Sequence, residues 1–308
     1  MSTCPICQGE LKPSKTEHYI ACKSCNHEVL VSGQEQTIMV NDDLDYHKII
    51  KADSNVKAQL KCLIEIGVGS DFLIDMGSGS GKFLYHSKQK FSQVMGIEIS
   101  EKSFKFATET LDLRIQSVLP EKIDGQLSAV TFWHSLEHIP AENFKEIFQS
   151  IYTLSSYDSK VVISVPNAKS LQYSLFKKGY AYYDVPNHLH QFSSKSLDLL
   201  MEDFGFEFIS SHKMPVYNLF GYMQGWLNNF IAPQNFLYYS LKRNYKYNEF
   251  TRLRKTKLVF SILLSGIFLP LSFLFTIYDQ LNSNRAGVIT RCYAKKKQKN
   301  SREFRFVT

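Results

Sequence analysis

From residue 72 onward, short apolar runs alternate with longer stretches in which apolar residues return every three or four positions. FLIDM (72–76), QVMGIEI (93–99), LRIQSV (113–118), LSAVTFW (127–133), KVVISVP (160–166) and FEFISSHKM (206–214) have the length and side chains of strands. AGVITRCYAKK (286–296) predicts a late seventh strand. KFLYHSKQK, SEKSFKFATETL, AENFKEIFQSIYTL and SSKSLDLLMEDFGF carry the helical period, with Ser100 placed to cap the second and Gly205 ending the last. Ahead of them, Ile49, Ile50, Val56, Leu60, Leu63 and Ile64 lie at helical spacing between Tyr46 and Ile66. Strands alternating with helices predict an α/β fold: a doubly wound, mainly parallel seven-stranded sheet covered on both faces.

Four of the six cysteines precede this pattern, as CPIC (Cys4, Cys7) and CKSC (Cys22, Cys25). Two CxxC knuckles at this separation suit four thiolates around a structural Zn²⁺, which leaves no open coordination position for catalysis. The opening MSTCPICQGE has no apolar secretory core, so a cytoplasmic, reducing setting is expected, which disfavours disulfides. Cys62 and Cys292 stand alone and are expected to be buried. SGQEQTIMVNDD reads as a linker between ribbon and core.

The loop after the first core strand reads DMGSGSGKF (75–83). A triphosphate loop would need a glycine where Met76 stands and a hydroxyl after Lys82, where Phe83 stands. A dinucleotide loop would need its third glycine one residue later than Gly81, and Asp75 would repel a pyrophosphate. The same carboxylate suits a ligand carrying an ammonium group, and Glu98, ending the second strand, is placed to accept hydrogen bonds from ribose hydroxyls.

Five stretches in order resemble the class I S-adenosylmethionine-dependent methyltransferases: LIDMGSGSGKFL, MGIEIS, FWHSLEHIP, VVISVPNAKS and DVPNHLHQFSSKSLDLLMEDFGF. The last is similar to the segment before strand six in members from bacterial surface-glycan clusters. The chain departs from the family in having LSAVTF where many members carry an acidic residue entering strand four. The resemblance implies a Rossmann-like fold in which Asp75, Gly77, Ser78 and Gly79 hold the methionine moiety. It implies Glu98 on the ribose, Ile99 near the adenine, and Trp133 or His134 beside the sulfonium. FWHS stands where planar-nitrogen methylases carry an N/D-P-P-Y/F motif, which speaks against methylation of a base nitrogen. His134, His138, His188 and His190 are candidate bases; His188 and His134 are the expected catalytic pair, His188 first. Glu137 and His138 are expected to brace the following helix, with a divalent metal as the alternative.

Residues 258–278 contain no charge and are long enough to cross a bilayer core; 219–241 are also uncharged and rich in Tyr, Trp and Phe. The basic KRNYKYNEFTRLRKTK lies between them. The family's sheet pairs the strands on either side of this insertion, which implies that the chain leaves and returns to one side of any membrane. Pro270 is expected to break the helix and permit a re-entrant hairpin. The alternatives are an in-plane helix with Arg252, Arg254, Lys255 and Lys257 on anionic headgroups, or a buried or dimer-forming pair. The expected organisation is a zinc ribbon (1–33), methyltransferase core (34–218), apolar and basic helical insertion (219–285), last strand (286–296) and basic tail (297–308). The net charge of +7 favours an anionic surface. The expected function is O-methylation of a lipid-linked glycan or surface-polysaccharide intermediate at the inner face of the membrane. RNA methylation guided by the ribbon and basic surface is the alternative, and a non-catalytic cofactor-binding scaffold is a further one.

Overall fold

The computed structural model describes residues 3–31, 44–241 and 252–297. An N-terminal ribbon contains β1 (Leu11–Pro13), β2 (Tyr19–Cys22) and β3 (Glu28–Leu30), paired antiparallel. The expected linker, residues 32–43, lies outside the described residues. The single helix expected over Tyr46–Ile66 is two, α1 (Tyr46–Ile49) and α2 (Ser54–Glu65). Asp53 splits them: its carboxylate accepts from the backbone N–H of Asn55 and Val56 and starts a new helix.

The core follows as β4 (Phe72–Met76), α3 (Lys82–Ser87), β5 (Gln93–Ile97), α4 (Glu101–Lys105), β6 (Ile115–Gln116), β7 (Leu127–Trp133), α5 (Phe144–Leu154), β8 (Lys160–Pro166), α6 (Leu171–Phe176), β9 (His190–Gln191), α7 (Ser194–Asp203) and β10 (Phe206–His212). The insertion carries α8 (Pro215–Asn228), α9 (Phe236–Leu241) and α10 (Arg252–Leu281), and β11 (Val288–Lys295) closes the chain. The seven-stranded sheet has the order β10-β11-β8-β7-β4-β5-β6 and is parallel except for β11. Both faces are buried, as the unbroken apolar strands require: Phe72, Ile74 and Met76 join one core cluster, and Leu73 between them joins the other. Cys62 and Cys292 lie in the second cluster.

Pro270 does not break α10, which runs through it for 30 residues, about 45 Å at helical rise. The carbonyl that a proline at 270 leaves without a partner belongs to Gly266, around which there is open space. α10 packs antiparallel on α8: Phe275 stacks on Tyr222 at 5.2 Å, Phe268 on Trp226 at 5.3 Å, and Lys257 donates to the carbonyl of Ala232. Its other faces are open, with Val259, Ile262, Leu263, Ile267, Phe273 and Leu274 more than half exposed.

β11 is held in mid-sheet by more than its ladders. Arg291, 6% exposed, donates through Nε and Nη2 to the two oxygens of Asp198 on α7, at 2.8 and 2.6 Å. Asp198→Ala strands a buried guanidinium and is expected to cost about 3 kcal/mol, read as a lower midpoint of urea unfolding. A shift of under about 0.5 kcal/mol would show the pair to be energetically idle.

Candidate functional site

The DMGSGSGKF loop turns between β4 and α3 at the carboxyl edge of the parallel strands, where ligands of open α/β sheets bind. Gly77, Gly79 and Gly81 all have positive φ. Gly81 is a packing glycine: a Cβ there would meet Leu113 at 2.5 Å. At Gly77 a Cβ would meet that of Ser135 at 2.6 Å, so the loop and the segment after β7 touch backbone to side chain. Gly96, which sequence reasoning left without a role, gives Ser78 room: a Cβ there would strike its hydroxyl.

Asp75, next to last in β4, is almost fully buried. Its Oδ1 accepts from Thr131 Oγ1 at 2.6 Å, and no cation pairs with it among the described residues. Burial pushes its carboxyl up to about 7; the Thr131 hydroxyl opposes this and the nearby Glu98 adds to it. Glu98 does more than wait for a ribose. Its Oε2 accepts from Gly79 N–H at 2.8 Å and its Oε1 from Ser100 N–H at 2.6 Å, tying the loop to the end of β5. Ser100 sits at the N-cap of α4 but makes no side-chain cap bond. Ile99 is 73% exposed, a bare apolar surface beside the loop. Ser78 Oγ, Ser135 Oγ and Trp133 Nε1 are buried with no hydrogen-bond partner. An uncompensated buried carboxylate, three orphaned polar atoms and a glycine cradle fit a zwitterionic, hydroxyl-bearing ligand such as S-adenosylmethionine.

The residue after Trp133 is His134, a non-glycine residue at φ 55. Its ring stacks on Tyr182 at 5.6 Å and meets the edge of Tyr217, on α8, at 4.7 Å. Tyr182 donates to the carbonyl of Tyr217 at 2.8 Å, closing the aromatic wall. Sequence reasoning missed both tyrosines: Tyr182 lies in the aromatic run YAYYD (180–184), and Tyr217 stands just before the uncharged aromatic stretch of the insertion.

His134, Glu137, His138 and His188 come together. Glu137 Oε1 is 3.6 Å from His134 Nδ1 and 4.0 Å from His188 Nε2. The His138 and His188 rings lie 4.6 Å apart. Burial, and then the neighbouring His138, lowers His188 to about 4. Burial raises the Glu137 carboxyl, but the surrounding imidazoles outweigh it and hold it below its ordinary value. His190 points elsewhere. It pairs with His27 of the ribbon at 3.1 Å between ring nitrogens, because β9 joins the ribbon sheet and not the acceptor side.

That pairing makes the ribbon a wall of the site. β3 lies antiparallel to β9, with Glu28 opposite Gln191 and Val29 opposite His190. Tyr19 donates to the carbonyl of His188 at 2.8 Å, and Ser193 to that of Cys25 at 2.6 Å. Inside the ribbon, Cys4 and Cys25 sulfurs stand 3.6 Å apart and Cys7 and Cys22 sulfurs 3.5 Å, with all four within 4.8 Å of one another. A disulfide would bring them to about 2.05 Å.

The family model described as a methyltransferase domain matches residues 57–211, half of the chain. No curated protein matches the chain in sequence. Among solved structures, an S-adenosylmethionine-dependent methyltransferase from Archaeoglobus fulgidus is 21% identical, covering 82% of this chain and 100% of that one, with a TM-score of 0.46. A cyclopropane synthase from Mycobacterium tuberculosis is 11% identical over 83% of this chain and 100% of its own, with a TM-score of 0.49. The Burkholderia thailandensis 1,6-didemethyltoxoflavin-N1-methyltransferase, solved with S-adenosylhomocysteine, is 10% identical over 89% and 98%, with a TM-score of 0.43.

Calorimetry with S-adenosylhomocysteine checks the loop. Gly77→Ala strains a positive-φ turn and pushes on Ser135, and is expected to weaken binding at least about tenfold, near 1.4 kcal/mol. Because Asp75 must ionise to face an ammonium, wild-type affinity is expected to fall as pH drops through about 7. Unchanged affinity in the variant, or a flat pH profile, would put the ligand elsewhere. The family match over half the chain, and a loop built for this cofactor, make the chain a member of the methyltransferase-domain family and an S-adenosylmethionine-dependent methyltransferase.

Proposed function

We propose that the enzyme O-methylates a lipid-linked glycan or related surface-polysaccharide intermediate at the cytoplasmic face of a membrane. The observation that carries this reading is the junction between insertion and site. α8 supplies Tyr217 to the wall around His134, and on its other side packs against α10, whose outer surface is apolar along its length. The most apolar stretch of this helix has a mean hydropathy of 2.4 with only 11% of it buried, and is matched by lipid better than by water. The same rigid α8 therefore connects a lipid-seeking surface to the acceptor side. The sheet topology returns the chain to the side it left, which suits a helix resting in the bilayer surface. RNA binding would call for a basic surface tracking the phosphates, and residues 258–278 of α10 carry no charge. Most of the basic block between the helices lies outside the described residues.

When bound, S-adenosylmethionine supplies an electrophilic methyl group. Asp75 holds the ammonium, Glu98 the ribose hydroxyls, and Trp133 Nε1 offers a donor beside the reacting end. Tyr182 and Tyr217 keep water from the acceptor. His134 takes the hydroxyl proton. His188, expected first for this role, is 8% exposed in its side chain, whereas His134 is 23% exposed and faces Glu137. Cys4, Cys7, Cys22 and Cys25 hold a structural Zn²⁺. Tetrahedral Zn–S bonds set neighbouring sulfurs about 3.8 Å apart, close to the spacings here.

Purified full-length protein incubated with methyl-labelled S-adenosylmethionine and a source lysate is expected to place label in the lipid-extractable glycan fraction. His134→Ala is expected to lower the transfer about 100-fold with S-adenosylhomocysteine affinity unchanged. Label in RNA would overturn the proposal. Cys22→Ser is expected to release about one zinc per chain by elemental analysis, and full retention would refute the four-thiolate site.

A further inference from the structure

Glu137 has no place in the chemistry above beyond facing His134. Its side chain has no solvent exposure, and neither carboxylate oxygen has a hydrogen-bond partner. It does not brace the next helix, as its position suggested, because the carboxylate bonds nothing there. A buried carboxylate in this state is costly unless a positive charge sits beside it.

The groups around it are ligands. His138 Nδ1 lies 3.0 Å from the carbonyl oxygen of Asn187. A carbonyl only accepts, so Nδ1 carries the proton and Nε2 keeps its lone pair. That is the tautomer a metal-binding histidine has, fixed by the second partner such histidines use. His188 is buried, presents Nε2 to Glu137, and has its Nδ1 without a partner. One ligand atom each from Glu137, His138 and His188 lies within 4.8 Å of the other two.

We propose that Glu137, His138 and His188 form a binding site for a divalent transition-metal ion, separate from the cysteine cluster. Two imidazoles and one carboxylate suit borderline ions such as Zn²⁺, Co²⁺ or Fe²⁺, and three protein ligands leave coordination positions open. A bound dication supplies the charge that the Glu137 carboxylate lacks. The site lies two residues beyond Ser135, which packs on the cofactor loop. If an open position of the ion reached the acceptor, it would acidify the hydroxyl whose proton His134 takes. That role rests on the O-methylation reading; the binding of the ion does not.

The test counts metal. Full-length protein is dialysed against Co²⁺, desalted, and all bound metals are measured per chain. Wild type is expected to hold about two ions, and Glu137→Gln and Cys22→Ser about one each. Cobalt in Cys22→Ser is expected to lack thiolate charge-transfer absorption, and cobalt displaced into the cysteine cluster to show it. If Glu137→Gln fails to fold, His138→Gln, at a half-buried position, reads the same loss of one ion. A wild type that holds one ion, lost in Cys22→Ser, overturns the proposal and leaves a proton shared between Glu137 and the imidazoles. Glu137→Gln and His138→Gln both holding as much as wild type overturns it too. A glycan acceptor disproved in favour of RNA would leave the count unchanged, so the two readings fail separately.

Discussion

The return of β11 into the sheet governs the rest of the molecule. β11 enters antiparallel between β8 and β10, with Val288 opposite Pro166 at one end and Phe206 opposite Lys295 at the other. β10 runs parallel to the core strands, so it ends at their carboxyl edge, and β11 must begin there. Everything between them leaves and returns at the edge that carries the glycine loop and His134. Asn167, at the exit of β8, secures the return by donating its side-chain amide to the carbonyl of Ala286 and its backbone N–H to that of Gly287. Arg291 and Asp198 then lock the strand from below. The insertion therefore need not find the site; the topology delivers α8 to it, and α10 lies outside α8 with its other faces uncovered among the described residues.

Burial of charge is the second organising fact. Asp75 and Glu137 are both carboxylates with almost no access to water, yet they sit in different surroundings. Asp75 has a hydroxyl and an open side toward the loop, which suits a ligand's ammonium. Glu137 has imidazole nitrogens at 3.6 and 4.0 Å but neither within hydrogen-bond distance, which suits an ion held by the protein. Both cost stability in the empty fold, the usual signature of residues kept for binding.

The ribbon belongs to the same site. A structural metal cluster fused to an enzyme could stand apart on a linker, but here its last strand extends over β9, and its Tyr19 holds the backbone of His188. Order in the ribbon is thereby passed to the segment that carries one of the site's histidines. His190 shows the division of labour: two residues from His188, it faces the ribbon and stacks on His27.

Much of the fold was legible in the sequence. The strands over 72–76, 127–133 and 160–166 coincide with their apolar runs, because a strand buried on both faces must be apolar at every position. The cysteine spacing announced a cluster, and the glycine loop with Asp75 before it announced a ligand, since both are local arrangements of a few residues. What the sequence did not contain is any sign of which distant segments meet. Pro270 staying inside the last helix depends on the open space around Gly266. The meeting of Glu137 and His138 with His188, some fifty residues away, and of Tyr217 with His134, depends on strand order and on where the insertion emerges. Side-chain periodicity is written by each residue's own burial and is read residue by residue. Register between strands and the closing of a site are set by the sum of many long-range contacts, which only the folded chain adds up.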